Sequence, residues 1–302
     1  MVLLTIDKTT NKWKQITVDE KKQLPEAEQA RVLYIDGELQ KRLNFAKKQI
    51  AMNNDCIGIV SGGEGTGKSS LAGNIMRYIS EDKFDPRKQL IGADYQEALE
   101  KLQEVEDNGW LMFDEGNAFF LSTETMSREH RDLHKVFSIF RQKRLFVLII
   151  LPSFFRLGSY FANDRSKFMI RTYLNDGKRG FFAYYGEKRK NKAYKLCRKD
   201  HDYALVKPNF RGRFHQCISL EDKKYKDFKL KTLNEAFNKA REVHKTPTQI
   251  KREVMQELIV SNPELSSIEL SKVLKLADST IRNIRLKRLN EPKTLENTPP
   301  SC

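Results

Sequence analysis

Gly62, Gly67, Lys68 and Ser69 stand at the spacing Gly-x-x-x-x-Gly-Lys-Ser, inside the run Gly62, Gly63, Glu64, Gly65, Thr66, Gly67, Lys68, Ser69, Ser70. These residue types at this spacing form a phosphate-binding loop. Glycine has no Cβ, so successive backbone N–H groups can turn inward onto one anion. A helix starting at the end of the loop adds the positive end of its dipole. In such a loop Lys68 reaches the β- and γ-phosphates of a nucleoside triphosphate, and the Ser69 hydroxyl is a ligand for Mg²⁺. A second run, Trp110-Leu-Met-Phe-Asp-Glu, delivers two adjacent carboxylates, Asp114 and Glu115. Asp114 at the carboxyl end of a buried strand would support the Mg²⁺, and Glu115 would polarise an attacking water toward the γ-phosphate. The expected cofactors are ATP and Mg²⁺, and the acid directly after the aspartate argues for hydrolysis rather than nucleotide storage.

Further residues carry weaker chemical signals. Ser153 is the polar side chain available just past the apolar run Leu145–Leu151 and could sense the γ-phosphate there. Arg141 and Arg144 could act as arginine fingers, within the chain or across a subunit boundary, or could simply form a basic surface. Cys197, His201, His215 and Cys217 are zinc-type ligands, but their spacing fits no common finger. Near the C-terminus, Ser279, Thr280, Arg282, Asn283, Arg285 and Lys287 lie on the outward side of a short helical pattern in which Ile281 and Ile284 face inward. Arg and Asn can pair bidentately with guanine and adenine, so these six are the candidate DNA-binding residues.

Those groups need elements to hold them. Ile57, Ile59 and Val60 before the glycines read as a buried strand, and Leu71, Ala72, Ile75 and Met76 after them as a helix. A preceding helix is expected from Leu39, Leu43, Ala46 and Ile50. Residues 88–92 suggest a short strand, 95–105 a helix and 127–140 another helix. Leu145–Leu151 is the strongest strand signal, and its unbroken apolar character implies burial on both faces in the middle of a parallel sheet. Residues 168–174 and 181–185 around Asn175-Asp-Gly read as a β-hairpin. Beyond Pro247, helical patterns at 248–260, 266–274 and 279–288 form a helix-turn-helix layout, with Ser266–Glu269 as a capping box.

The chain has 302 residues and a formal net charge of +15, which suggests a polyanionic partner, nucleic acid before membrane. Residues 186–245 hold 18 Lys and Arg against 8 Asp and Glu, with Tyr194, Tyr203, Phe210, Phe214 and Tyr225 interleaved. Such a stretch suits contact with a nucleic-acid backbone or pairs its aromatics with the ATPase core. No run is long enough to span a membrane, the first residues do not resemble a signal peptide, and four irregularly spaced cysteines suggest no disulfide framework. A cytoplasmic protein without membrane insertion is expected. The expected organisation is an N-terminal arm (1–35), an ATPase domain (36–185), a basic aromatic extension (186–245), a helix-turn-helix domain (246–290) and a disordered tail (291–302).

Residues 62–69, the strand ending in Asp114-Glu115, and Arg-Gln-Lys-Arg-Leu-Phe-Val-Leu-Ile-Ile-Leu-Pro-Ser at 141–153 together resemble the additional-strand, catalytic-glutamate P-loop ATPases. The chain is most similar to compact FtsK–HerA and zonula-occludens-toxin-like members of viruses and mobile elements, over residues 36–185. That resemblance implies an α/β P-loop NTPase fold with a mostly parallel central sheet flanked by helices, here joined to a small all-α helix-turn-helix module. It implies ring-forming homo-oligomers that move DNA during packaging, transfer or segregation, with viral or mobile-element assembly partners. FtsK–HerA members usually carry Gln at the end of the strand after Walker B, where this chain has Leu151-Pro152-Ser153. The function expected is an ATP-hydrolysing DNA motor. The alternative is an ATP-switched DNA-binding protein, such as a replication initiator, helicase loader or transposition regulator, that does not translocate.

Overall fold

The computed structural model describes residues 2–92, 95–114, 120, 141–216, 230, 247–274 and 276–289. The chain divides into two compact units, Met1–Ala236 and Phe237–Cys302. The expected helix at 127–140 and the tail from 291 lie outside the described residues, as do Glu115 and Cys217.

The first unit is built on a seven-stranded sheet in the order β10-β9-β8-β4-β7-β6-β5. Its strands are β4 (Cys56–Ser61), β5 (Leu90–Ile91), β6 (Trp110–Phe113), β7 (Phe146–Leu151), β8 (Ser166–Asn175), β9 (Lys178–Gly186) and β10 (Phe210–Arg213). β5, β6, β7, β4 and β8 run parallel, while β9 and β10 are added antiparallel. β4 and β7 are buried along their whole length, as their unbroken apolar sequences require. Alternate residues of each strand supply two cores. Val60, Leu148, Ile150 and Ile170 face one side, and Ile59, Val147, Ile149 and Met169 the other. Gly58 has no side chain because the Phe168 ring would lie 2.2 Å from its Cβ.

The first core is closed by α3 (Gly37–Ala51) and α4 (Lys68–Ile79). Asp36 caps α3 by accepting from the N–H of Glu38 and Leu39, and Leu39, Leu43, Ala46 and Ile50 turn inward. The N-terminal arm forms a three-stranded sheet, β2-β1-β3, of β1 (Val2–Ile6), β2 (Trp13–Ile16) and β3 (Leu33–Ile35). Leu4, Leu33 and Ile35 join the first core, and the Trp13 indole donates to the Tyr78 carbonyl at 3.0 Å. Short helices α1 (Val18–Gln23) and α2 (Glu26–Gln29) link β2 to β3, and α5 (Pro86–Gln89) precedes β5.

The second core lies under α6 (Tyr95–Glu104), the short turns at 154–165 and α7 (Glu187–Cys197). Asp176 (φ 49°) and Gly177 (φ 72°) make the two-residue turn between β8 and β9, as the Asp-Gly pair predicts. The composition shift at residue 186 does not mark a structural boundary. β10 pairs with β9, and Ala193, Tyr194 and Cys197 of α7 pack into the second core. A basic sequence hides both elements because only one narrow face of α7 is apolar and β10 is an edge strand. No helix among the described residues is long and apolar enough to cross a membrane.

The second unit contains α8 (Pro247–Ser261), α9 (Ser267–Leu274) and α10 (Asp278–Leu289). Ile259, Leu270 and Ile281 form its core, with Leu274, Leu276 and Ile284 beside them. The capping box is present: the Glu269 N–H donates to Ser266 Oγ, and Glu269 Oε2 accepts from the Ser266 N–H at 2.8 Å. Val273, on the same helix, is 75% exposed. Leu270 and Leu274 stand one turn apart on the core side, which leaves Val273 beyond its edge.

Lys190 on α7 is fully buried, with its ammonium on the Ala162 carbonyl. Burial lowers its pKa to about 8, opposed by Glu187 and Asp164 and assisted by Lys167. The unfolded chain therefore holds this proton more tightly than the folded one, so folding stability rises as pH climbs through the range from 8 toward the unfolded value. Chemical denaturation should show stability increasing by up to roughly 3 kcal/mol across that range, and Lys190→Met should flatten the rise. Identical pH profiles for the two proteins would contradict the placement of Lys190.

Candidate nucleotide site

The glycine loop joins the carboxyl end of β4 to the first turn of α4, between two strands that cover β4 on both edges. Three of its glycines need the left-handed side of backbone space: Gly62 (φ 154°), Gly65 (φ 71°) and Gly67 (φ 90°). At Gly62 a Cβ would meet Thr172 Oγ1 at 2.4 Å and the Thr172 carbonyl at 2.5 Å. Thr172 belongs to β8, so the neighbouring strand fixes the path of the loop. It does so through its hydroxyl too, which lies 2.7 Å from Thr66 Oγ1 and donates to the Ser61 carbonyl at 3.3 Å. Thr66 also donates to the Gly63 carbonyl at 2.8 Å. At Gly67 the Phe214 ring sits 3.0 Å from where a Cβ would be.

Lys68, at the start of α4, folds back and donates to the Gly63 carbonyl at 2.8 Å. Its ammonium thus rests on the rim of the loop that it would share with a phosphate. Ser69 Oγ donates to Asp114 Oδ1 at 3.2 Å. Asp114 follows β6 and is only 6% exposed, with its N–H donating to the Ile91 carbonyl at 3.0 Å. A hydroxyl and a nearly buried carboxylate at this distance are hard oxygen donors, and they suit Mg²⁺, which takes few protein ligands and completes its shell from phosphate and water. Glu64 and Gly65 are exposed at the mouth of the loop, and Ser70 is half-buried in the first turn of α4.

Ser153 lies two residues past Leu151, which pairs with Ser61, so it stands at the same edge of the sheet as the glycine loop. Its backbone is extended and its hydroxyl makes no hydrogen bond among the described residues. Arg141 and Arg144 lie elsewhere. They precede β7, and β7 runs parallel to β4, so both sit at the starting edge of the sheet. The strand's six residues separate that edge from the loop by roughly 20 Å. Arg144 is held there by Asn53 Oδ1 at 2.8 Å and Asp107 Oδ2 at 2.7 Å. Arg141 lines a cavity of about 520 Å³ with Arg42, Asp55, Arg165 and Lys167. Within one chain neither is brought to the phosphate site.

The arginine at the mouth is one the sequence did not single out. Arg179, just past the hairpin turn, places Nη2 3.5 Å from the Cβ position of Gly65. It is exposed and makes no hydrogen bond or ion pair among the described residues. Further along β8, opposite Ser61, Arg171 stacks on the Tyr203 ring at 4.2 Å, and the Tyr203 hydroxyl, raised in pKa chiefly by burial, lies 3.5 Å from Ser61 Oγ. The runs at 168–174 and 181–185 and the Asp-Gly turn pointed to this hairpin, but nothing local reveals that β8 lies against β4.

Among the described residues no three His, Cys, Asp or Glu side chains gather as a metal site. Cys197 is buried in the second core, whereas His215 packs edge-on to Tyr34 at 4.5 Å beside the first. The sheet separates them. In the second unit Ser279, Thr280, Arg282 and Asn283 are exposed on α10. Arg282 pairs with Asp278 at 2.7 Å. Arg285 turns inward instead, donating to the carbonyls of Asn262 at 2.8 Å and Leu265 at 2.9 Å. There it satisfies groups left open at the end of α8, which removes it from an outward-reading face. Lys287 lies on the same helix.

No family model matches the chain, and no curated protein matches it. Solved structures similar to it include the genome packaging NTPase B204 of Sulfolobus turreted icosahedral virus 2 in complex with ATP-γS. That likeness has 12% identity and a TM-score of 0.34, over 45% of this chain and 94% of the other. The N-terminal domain of zonular occludens toxin from Neisseria meningitidis is similar at 11% identity and a TM-score of 0.36, over 58% of this chain and 98% of the other. These likenesses are weak, and the function proposed below rests on this chain's own residues.

The loop geometry separates two glycines that look alike in sequence. Gly62→Ala forces a Cβ into the β8 backbone, whereas a Cβ at Gly63 meets nothing nearer than 3.9 Å. Titration with fluorescent MgATP should show affinity falling at least about tenfold for Gly62→Ala and staying near wild type for Gly63→Ala. Equal affinities would mean that the loop is not held by Thr172.

Proposed function

We propose that this chain is an ATP-hydrolysing, DNA-binding motor of a virus or mobile element, acting as a homo-oligomer in the cytoplasm. The observation that carries the ATPase part is the meeting of the glycine loop, Lys68, Ser69 and Asp114 at one edge of the sheet, with Ser69 Oγ 3.2 Å from Asp114. The DNA part is supported by the +15 net charge and by the polar exposed side of α10.

In this reading the N–H groups of residues 63–69 bind the β-phosphate, and Lys68 leaves the Gly63 carbonyl for the β- and γ-phosphates. Ser69 and Asp114 would hold Mg²⁺, which would supply positive charge to offset that of the triphosphate. Glu115, one residue past Asp114, orients water toward the γ-phosphate, and Ser153 contacts that phosphate from the adjacent strand end. Arg179 supplies the guanidinium for charge developing in the transition state, the part sought in Arg141 and Arg144. Those two remain available only to a neighbouring subunit. Exposed Ser279, Thr280, Arg282 and Asn283 would address DNA.

ATPase rates with and without duplex and single-stranded DNA test the proposal. DNA should stimulate wild type. Glu115→Gln should lower turnover by about 10² or more while MgATP still binds, and Arg179→Ala should lower turnover by about 10² with little change in affinity. Slow turnover that DNA does not stimulate, with tight binding to one DNA sequence, would instead support the ATP-switched DNA-binding protein. Full activity in Glu115→Gln would overturn the hydrolytic assignment.

A further inference from the structure

The basic residues of α7 fall into two sets. Lys190 is buried on the Ala162 carbonyl, Arg189 donates to the carbonyls of Lys207 and Pro208, and Arg198 lies over the Tyr194 ring at 5.0 Å. The first two hold the helix to the body, and Arg198 covers the helix's own Tyr194. Lys188, Lys192, Lys195 and, just past the last turn, Lys199 do neither. All four are exposed, while Lys190, Ala193, Tyr194 and Cys197 are buried. At 3.6 residues per turn the four lysines fall on one line, directly opposite the buried face.

None of the four makes an ion pair or hydrogen bond among the described residues, and the one acidic residue of the helix, Glu187, lies 3.7 Å from Lys167. An ordinary solvated face mixes signs, and like charges three and four residues apart repel. This face carries one sign only. Lys188 and Lys199 stand eleven steps apart, roughly 16 Å at the helical rise, a length that covers about five phosphates of one DNA strand. Lysine is a mobile point charge that accepts many phosphate positions, unlike the fixed fork of arginine.

We propose that this lysine face of α7 is where the ATPase body holds the phosphate backbone of DNA, without reading its sequence. The inference rests on the DNA-motor reading but is tested apart from hydrolysis. Duplex DNA affinity should be measured without nucleotide from about 50 to about 200 mM salt, on the full chain and on Lys188→Gln/Lys192→Gln/Lys195→Gln/Lys199→Gln. If all four contact phosphates, the slope of log affinity against log salt becomes shallower by about 3.6, or 0.9 per lysine. Basal ATPase stays at the wild-type rate, which also shows that the variant is folded. Lys68→Ala should keep the wild-type slope. A wild-type slope in the quadruple variant overturns the proposal, as does a wild type with no DNA affinity at low salt. So does a variant that keeps DNA binding but loses affinity for phosphatidylserine vesicles, which would assign the face to membrane. A wild type that binds DNA with the expected slope but hydrolyses no ATP would overturn the motor reading and leave the lysine face standing.

Discussion

Between Ser61 and Lys68 the backbone must curl tightly enough to aim its N–H groups at one point, and β8 leaves it little choice of path. Thr172 closes the space beside Gly62, and its hydroxyl meets that of Thr66 at 2.7 Å. β4 can present the loop rigidly because it is paired along both edges, to β7 and to β8. The pairing of β6 with β7 sets Asp114 within reach of Ser69. An anion site made of backbone amides is only as defined as the strands that carry it.

The excess of cations has a division of labour. Several are committed to the architecture: Arg77 is buried against Asp82 at 2.6 Å, Arg144 binds Asn53 and Asp107, and Arg285 holds the end of α8. The donors of these groups are spent on partners within the fold, so their role is structural even where the sequence context looks functional. Arg179, Lys188, Lys192, Lys195 and Lys199 are exposed and make no ion pair or hydrogen bond among the described residues, and the functional proposals are built on them. Net charge alone could not make this distinction.

Much of the fold was legible because its signals are local. The apolar runs of β4 and β7, the stripes of α3 and α4, the capping box at Ser266 and the Asp-Gly turn each carry their own physics. So does the loop itself. β10 was not legible, since Phe-Arg-Gly-Arg becomes a strand only by pairing with β9. Of the alternatives open for Arg144, a finger within one chain could have been set aside from the sequence. In a parallel sheet the residues before a strand and the residues after it lie at opposite edges, so a group preceding β7 could not reach a loop that follows β4. The same rule puts Ser153 at the loop's edge of the sheet. Arg179 needed the structure, because its position depends on β8 crossing over to lie beside β4.

The central claim is that Ser69 and Asp114 hold a divalent cation against a triphosphate gripped by the loop. Calorimetric titration of ATP with Mg²⁺ present and with it chelated tests this without relying on turnover. Wild type should bind ATP distinctly more tightly with Mg²⁺, and Ser69→Ala should retain binding in chelator while losing most of that gain. Equal wild-type affinity in the two conditions, or an undiminished Mg²⁺ effect in Ser69→Ala, would contradict the account.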